Sequence, residues 1–478
     1  MLFIPIDNRP VSYDLAQHIA KVGGINISMP PKEMLGGLTY QADFESLREW
    51  TYSTIKSRRL SSAVIALDTI AYGGLVPSRW SEDYFEDIIN RINTFLQLFK
   101  MNNINVYAYS SVMRISNNNN NEEEKDYWSE YGTKIYQYSN LFHKVQKLET
   151  PAVQEQLNQI IKEIPQEILE DYVSTRERNF EINQYYIEKT KQNSFELLVY
   201  CQDDTSKWGI NVLEAESLRN SVVQNKLQNK ILIHPGTDEI GASLLVRAAM
   251  WPNSLSIYPI YTLEAGKEIL ANYEDRPIKK SVEGQIKICG AKKSNSIGSA
   301  DLVLVIHLPE ISQGDHIFDI EPEGTSENAL SKCLGLLQSL NKPVAIADIL
   351  WANGSDPNLI EKMFDPEVDI KYLYGYAGWN TASNSIGSTI SMGLMRVQAE
   401  KEGKVNKLAH KKLLISRLVD DWAYQSIIRK KIDEPDVVEL NNRMHKIIDP
   451  LLRKFDYNGE ITFRFPWNRL FEIEAIIK

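Results

Sequence analysis

Two adjacent aspartates, Asp203 and Asp204, are the residues of this sequence best suited to acid and base chemistry. They follow a short apolar run at residues 197–201 that is typical of a buried strand. Two carboxylates held close together cannot both ionise freely, so their pKa values separate into one acid and one base. Glycoside hydrolysis uses such a pair, and a substrate acetamido group can replace the enzyme nucleophile. A structural role stays open, in which Asp204 caps the next helix and Asp203 is solvated.

Polar side chains also follow most of the other apolar segments of the chain. Parallel strands place their carboxyl ends on one face of an α/β fold, so we expect these side chains to share a pocket. Indole rings near the strand ends, at Trp208, Trp351 and Trp379, suit the apolar face of a sugar, or else simply pack. Gly73 and Gly74 would let the backbone approach a ligand closely. The expected substrate-binding residues are Asp7, Arg9, Asp68, Arg79, Arg114, Lys207, Asp238, Glu239, Asp348, Asn353, Trp379 and Asn380.

A metal site is the main alternative chemistry. His234, Asp238 and Asp203 follow strand patterns and could together bind a divalent cation, but they lack a diagnostic spacing such as HExxH. We therefore assign no metal ligand and no cofactor. No phosphate-binding glycine motif follows a strand, and no Gly-x-Ser-x-Gly elbow is present, which argues against nucleotide binding by those routes and against a serine-hydrolase triad. The acidic run at residues 121–124 is interpreted as a solvated face or a helix start.

Eight or nine short apolar segments, most of them separated by helical patterns, predict parallel strands joined by right-handed crossovers. The simplest closure is a (β/α)8-like barrel over residues 1–399, with a helical insertion at about 117–193 and a mainly helical extension at 400–478. The alternative is two doubly wound α/β domains that divide near residue 275. Residues 286–289 and 302–307 are both candidate strands.

The composition limits the partners of the chain. With 478 residues, a formal net charge of −10 and a pI near 5.4, the protein is a poor candidate for binding nucleic acid or an anionic membrane. Its three scattered cysteines indicate reduced thiols, and no targeting or membrane-spanning segment is recognised. We expect a cytoplasmic protein with a small-molecule or oligosaccharide substrate and no nucleic-acid or membrane partner. Association into a homo-oligomer stays open.

Five blocks of sequence resemble the signature blocks of a large bacterial family that is catalogued only as a domain of unknown function. The resemblance spans nearly the whole chain and implies no settled activity. The blocks are PIDNRPV at residues 5–11, LDTIAYGGLV at 67–76, QDD at 202–204, HPGTDE at 234–239 and GWNT at 378–381.

The aspartate pair after a strand also resembles the tandem aspartates of bacterial β-N-acetylglucosaminidases of the O-GlcNAcase type. This resemblance implies a barrel in which Asp203 polarises the substrate acetamide and Asp204 is the general acid and base. By position alone, it implies Asn353 and Asn380 as ligands of sugar hydroxyls.

Three strand-end arginines, Arg9, Arg79 and Arg114, depart from that pattern and indicate an anionic group on the substrate. We therefore expect a glycoside hydrolase acting on a small or oligomeric carbohydrate that is N-acetylated or acidic. The alternatives are a metal-dependent hydrolase or lyase and a non-catalytic carbohydrate-binding protein.

Overall fold

A computed structural model describes residues 1–148, 150–324 and 327–478. These residues divide into two compact units. Unit 1 comprises residues 1–8 and 27–237, and unit 2 comprises residues 9–26 and 238–478. The chain therefore passes from one unit to the other after residues 8, 26 and 237.

The strands and helices alternate along most of the chain. The strands are β1 (Leu2–Ile4), β2 (Ser62–Ala66), β3 (Asn105–Val112), β4 (Leu197–Gln202), β5 (Ile231–Pro235), β6 (Ser256–Tyr261), β7 (Lys292–Lys293), β8 (Leu302–His307), β9 (Gly314–Asp315), β10 (Val344–Asp348), β11 (Trp351–Ala352), β12 (Leu373–Ala377), β13 (Ile461–Arg464) and β14 (Glu474–Ile477). The α-helices are α1 (Asp14–Val22), α2 (Phe44–Ser57), α3 (Leu67–Tyr72), α4 (Pro77–Trp80), α5 (Phe85–Met101), α6 (Trp128–Leu148), α7 (Pro151–Lys162), α8 (Gln166–Lys191), α9 (Ile210–Gln224), α10 (Ile240–Met250), α11 (Ile278–Ile288), α12 (Glu327–Ser339), α13 (Pro357–Met363), α14 (Ala382–Lys401), α15 (Lys407–Leu418), α16 (Val437–Ile447) and α17 (Asp449–Lys454). A π-helical segment, Val419–Ile428, follows α15, and short 3₁₀ turns cover Lys32–Met34, Ala265–Glu268, Arg429–Lys431 and Pro466–Asn468.

Unit 1 is built on a parallel sheet with the strand order β1-β2-β3-β4-β5. Strands β2 and β4 are apolar and buried along their whole length, as expected for a sheet covered on both faces. A parallel bridge joins Leu2 to Ser28 on the other edge of β1. The order across the sheet therefore reverses next to β1, since Ser28 lies on one side of β1 and strands β2 to β5 lie on the other.

Helices α6, α7 and α8 lie between β3 and β4 in the chain and have a hydrophobic core of their own. Trp128, Ile135, Leu157 and Tyr172 contribute to this core, and Met113 at the end of β3 joins it. The insertion is thus packed directly onto the carboxyl end of β3.

Unit 2 contains a second parallel sheet, with the strand order β7-β6-β8-β10-β12. Its second strand, β7, also lies on one side of the first, and the later strands lie on the other. Helix α14 contacts β10, β12 and α11 and is buried over most of its length, which explains why its sequence is not amphipathic. The chain ends in the antiparallel hairpin β13–β14.

The predicted alternation of helices with parallel strands is confirmed, but the single barrel is not formed. No sheet in residues 1–148, 150–324 and 327–478 closes on itself, because each of the two sheets keeps open edges. In each sheet, the chain adds its second strand on one side of the first strand and every later strand on the other side. A barrel instead adds all its strands in one direction, so neither sheet closes. The predicted strand at residues 286–289 is wrong, since Ile278, Val282 and Ile286 are spaced four apart and form the buried face of α11.

None of the helices in the described part of the chain is both long enough and apolar enough to cross a lipid bilayer.

Candidate functional site

Asp203 and Asp204 lie in the loop between β4 and α9, at the carboxyl end of the unit 1 sheet. The backbone of Asp204 has a φ of +40°, a left-handed conformation that is uncommon for residues other than glycine, although aspartate adopts it more readily than most. Helix α9 begins only at Ile210, with Gly209 in the capping position. The helix-cap alternative for Asp204 is therefore wrong.

The two aspartates bind different arginines. Nη2 of Arg79 donates to Oδ2 of Asp203 at 2.9 Å, and Nη1 of Arg114 donates to Oδ2 of Asp204 at 3.0 Å. Glu123 joins the two arginines, because its Oε2 lies 2.8 Å from a guanidinium nitrogen of each. The pair is thus held by two cations that share a carboxylate.

Glu124 completes the group. Its Oε1 accepts from Nε of Arg114 at 3.2 Å and from the hydroxyl of Ser116 at 3.0 Å, and it lies 3.7 Å from Arg79. We call the following residues the arginine–carboxylate cluster: Arg79, Arg114, Glu123, Glu124, Asp203 and Asp204.

The cluster makes Asp204 a weaker acid than usual. Burial raises its pKa to about 6, the charge of Asp203 adds to this, and Arg114 and Arg79 oppose it. The side chain of Asp204 is nevertheless 31% exposed, whereas that of Arg79 is 2% exposed. Asp204 can therefore exchange a proton with solvent or a ligand, whereas the guanidinium of Arg79, which binds Asp203, is buried.

Asp68, at the carboxyl end of β2, lies in the same electrostatic field. Its carboxylate accepts from the backbone N–H of Ser111 at 2.9 Å and from the Ser111 hydroxyl at 2.6 Å. The pKa of Asp68 is raised to about 6, mainly by burial and in smaller part by the negative charge of Asp203. Asp7 follows β1, next to β2 in the sheet, and is 2% exposed.

The insertion positions both ends of the site. On α6, the hydroxyl of Ser139 accepts from the N–H of Ile210 at 2.8 Å, and Nδ1 of His143 accepts from the N–H of Gly209 at 3.1 Å. On α8, the guanidinium of Arg176 donates to the carbonyl of Arg114 at 3.2 Å. The insertion therefore holds the loop that carries the aspartates and the backbone of one arginine.

The glycine pair before Arg79 serves a close approach within the chain. Gly73 has a φ of +89°, and a Cβ there would lie 2.6 Å from the backbone nitrogen of Ala42. At Gly73, the backbone therefore lies against residues 41–42 of the chain itself, where a ligand was expected.

The predicted residues of unit 2 form other contacts. Nη2 of Arg9 donates to Oδ1 of Asp238 at 2.7 Å, and Arg9 lies 3.8 Å from Glu472. Glu239 is fully buried, and burial raises its pKa to about 8. The amide of Gln285 donates to one of its oxygens, and the other has no hydrogen-bond partner among the described residues.

Asp348 ends β10 and is held from two sides. Its Oδ2 accepts from the hydroxyl of Tyr376 at 2.8 Å and from the backbone N–H of Asp356 at 2.8 Å, and burial raises its pKa to about 6. Nδ2 of Asn353 donates to Asp315 at 3.1 Å, and its backbone N–H donates to the carbonyl of Asn380 at 2.8 Å.

The three tryptophans near strand ends all contact other rings. Trp208 contacts His143 edge-on, Trp351 stacks on His316, and Trp379 contacts Phe471 edge-on. Trp379 is only 1% exposed, so packing is its observed role.

Residues 1–436 match the family described as "Protein of unknown function (DUF4127)". The chain belongs to this family. The match confirms the resemblance that the five sequence blocks indicated, and it includes most of both units. No curated protein and no solved structure matches the chain.

In this family member, the predicted site residues are divided between the two units. Asp7, Asp68, Arg79, Arg114, Asp203, Asp204 and Lys207 belong to unit 1, and Arg9, Asp238, Glu239, Asp348, Asn353, Trp379 and Asn380 belong to unit 2. Within unit 1, four of them meet in the cluster, and the exposed Lys207 lies with its Nζ 5.8 Å from the centre of the Trp208 ring. One pocket shared by all of them stays a prediction.

The sequence reasoning missed Glu123 and Glu124. The interpretation of this acidic run as a solvated face was wrong for Glu124, which is 8% exposed and bound to Arg114. The sequence did contain a usable signal, since the acidic run follows closely after Arg114 at the end of β3, and a partly buried arginine requires a negative partner.

Among the described residues, no group of three or more His, Cys, Asp or Glu side chains is arranged to hold a metal ion. Nδ1 of His234 lies 2.7 Å from the carbonyl oxygen of Pro235, as in a structural histidine. The metal-dependent alternative therefore gains no support from these side chains.

Proposed function

We propose that this protein hydrolyses a glycosidic bond of an N-acetylated carbohydrate, with Asp203 and Asp204 as the working pair. One observation carries the proposal: two adjacent carboxylates at the carboxyl end of a parallel sheet are held by different arginines, and one of them has a pKa of about 6. Pairs of acids in unlike environments are the recurring arrangement for acid and base chemistry near neutral pH.

Asp204 suits the general acid. A carboxyl group with a pKa of about 6 carries a proton for a useful part of the time near neutral pH, and its exposed fraction of 31% lets it reach a leaving oxygen. Asp203 suits the anionic role, because it is paired with the guanidinium of Arg79. In the proposed reaction Asp203 orients the acetamide, and the acetamide oxygen attacks the anomeric carbon as Asp204 protonates the leaving oxygen.

The cluster favours a reacting sugar without an acidic group. Two guanidinium groups face four carboxyl groups, so the net charge of the cluster is −2 when all are ionised and −1 when Asp204 is protonated. Both arginines are already bound to carboxylates, and an additional anion would be repelled. The sequence-based indication of an anionic substrate therefore receives no support from Arg79 and Arg114.

The strand order of each sheet supports two doubly wound α/β domains. In such sheets, ligands bind outside the carboxyl ends of the strands. The proposed site follows this rule, since its residues come from the ends of β2, β3 and β4. A cytoplasmic location and self-association stay predictions.

The Asp204→Asn variant tests the proposal. For an N-acetylhexosaminide with a weakly acidic leaving group, we expect kcat/KM to fall by about 10²–10⁴, the usual contribution of a general acid, while binding of the free sugar is retained. Asp87→Asn is the matched control, because Asp87 is an exposed residue of α5. Full ligand binding without turnover by the wild type, across a broad glycoside panel, would instead identify a carbohydrate-binding protein. Loss of wild-type activity on chelation would favour the metal-dependent alternative.

A further inference from the structure

A second feature of unit 1 lies beside the cluster. It is a cavity of about 610 Å³, within the range of small-ligand sites in proteins. Leu38, Trp80, Tyr127 and Ile168 supply its apolar and aromatic wall. Glu124 also lines the cavity, and its Oε1 contacts Arg114 of the cluster. The side chains of Glu124 and Arg114 therefore connect the cavity wall to Asp204, the proposed acid.

The polar lining of the cavity is strongly acidic. Within the described part of the chain, the carboxylates of Glu82, Asp126 and Glu167 have no hydrogen-bond or ion-pair partner. Lys125 also lines the cavity, but its Nζ lies 2.7 Å from both carboxylate oxygens of Asp171. The cavity thus presents unpaired negative charge, and its lysine is already neutralised.

Resting on the proposed function, we propose that this cavity binds the sugar units next to the cleaved bond and that these units carry primary ammonium groups. The aromatic wall fits the flat apolar face of a sugar ring, as Trp and Tyr side chains do elsewhere. The unpaired carboxylates fit ammonium groups, which have three donors and a full positive charge. A fully N-acetylated chain would offer no charge to these carboxylates, so the substrate class is a partly N-deacetylated amino-sugar oligomer.

Binding is measured by calorimetry on the full-length Asp204→Asn variant, which separates binding from hydrolysis. The probes are a glucosamine tetramer and an N-acetylglucosamine tetramer of equal length. We expect the glucosamine tetramer to bind about tenfold more tightly at low salt, and we expect the difference to shrink above about 0.5 M salt as screening increases. Added to Asp204→Asn, the triple substitution Glu82→Gln, Asp126→Asn and Glu167→Gln should abolish the preference, because each exposed ion pair contributes up to about fivefold.

Glu181→Gln is the matched control, since Glu181 is exposed on the same helix as Glu167 and does not line the cavity. It should preserve the preference. Equal affinity for the two tetramers, or tighter binding of the acetylated one, overturns the inference. Spermidine binding as tight as that of the glucosamine tetramer would also overturn it, because the cavity would then recognise charge without a sugar.

The two proposals fail in different ways. If the wild type hydrolyses N-acetylhexosaminides but the cavity shows no preference for the glucosamine tetramer, only the cavity assignment is wrong. If the wild type hydrolyses no glycoside but shows an ammonium preference that the triple substitution removes, the hydrolase and the placement next to a cleaved bond are wrong, and the cavity stays a binding site for amino-sugar oligomers.

Discussion

The acidic groups of the two units have pKa values raised by the same cause but lie in opposite settings. In unit 1, Asp204 is partly exposed and is paired with Arg114. In unit 2, Glu239 and Glu472 are almost completely buried, and burial raises the pKa of each to about 8. Neither oxygen of Glu472 has a hydrogen-bond partner among the described residues. A raised pKa therefore indicates chemistry only where the proton can reach a ligand, and elsewhere it measures the cost of burial.

The largest expected effect separates the two aspartates of unit 1 from each other. Asp203→Asn should lower kcat/KM by about 10³ for every aryl N-acetylhexosaminide. The reason is that a neutral asparagine side chain lacks the negative charge that is proposed to orient the substrate acetamide. Asp204→Asn should lower it strongly for poor leaving groups but little for an acidic nitrophenol, which leaves without protonation. Steady-state kinetics with two leaving groups of different acidity measure this contrast.

Asp87→Asn, on the exposed side of α5, serves as the control and should match the wild type. Equal losses for both variants with both leaving groups would remove the division of roles between Asp203 and Asp204.

In unit 2, the expected effect is on stability. Glu239 has its pKa raised from 4.5 to about 8, so the folded state holds the proton more tightly than the unfolded state does. The protein therefore loses stability as pH rises from about 4.5 to about 8. Gln cannot ionise, and its amide can donate to the unpartnered Oε1 of Gln285. Glu239→Gln should thus raise the free energy of unfolding by about 5 kcal/mol at pH 9 and change it little at pH 4.

Urea denaturation at the two pH values measures this difference. The control is Glu361→Gln, an exposed residue of α13 in the same unit, which should show no pH-dependent gain. A gain for Glu239→Gln that is equal at pH 4 and pH 9 would mean that ionisation is not its cause.

The sequence located the aspartate pair because its signal is local: a buried strand followed at once by two carboxylates. The partners of the pair depend on chain segments far apart, and only the fold brings Arg79 within 2.9 Å of Asp203. Glu123 and Glu124 were missed for this reason, since an acidic run looks solvated until the nearby arginine is placed.

The barrel prediction was wrong because the alternation of strands and helices does not determine which edge of the sheet each new strand joins. Parallel strands joined by helices are compatible with a closed or an open sheet, and the outcome depends on which edge the second strand joins. In unit 1 that strand is the single bridge at Ser28, and in unit 2 it is the two-residue β7, and neither is long enough for the sequence to show which edge it joins. At residues 286–289, the apolar run was too short to separate a strand from a helix without the preceding Ile278 and Val282.

The change in kcat/KM with pH should be smaller than the change in kcat/KM caused by Asp203→Asn. A general acid must be protonated, and the pKa of Asp204 is about 6. Well above that pH, kcat/KM should fall about tenfold per unit, and the total fall between pH 6 and pH 8 should be about fiftyfold. Initial rates with a poor leaving group across pH 5–8 test this, and Asp87→Asn should retain the same decline. A flat profile over that range would exclude Asp204 as the acid.

The smallest expected effect tests whether Asp68 belongs with the pair. Ser111→Ala removes the hydroxyl that donates to Asp68 at 2.6 Å and should lower the free energy of unfolding by about 1–2 kcal/mol at pH 8. The loss should be smaller at pH 4, because the hydroxyl lowers the pKa of Asp68 and so stabilises mainly its ionised form. Urea denaturation measures both values, and Ser174→Ala, whose exposed hydroxyl bonds only a backbone carbonyl, should show neither loss.

A double-mutant cycle decides the connection between Asp68 and the pair. The charge of Asp203 raises the pKa of Asp68, so the two ionised carboxylates repel each other, and either Asp68→Asn or Asp203→Asn should remove that repulsion, which makes the two substitutions non-additive at pH 8. A coupling free energy of about 0.5 kcal/mol or more at pH 8 that vanishes at pH 4 places Asp68 in the electrostatic field of the pair. Strict additivity at both pH values would instead make Asp68 a structural acid, like Glu239 in unit 2, and would reduce the proposed reactive group of unit 1 to Asp203 and Asp204 with their arginines.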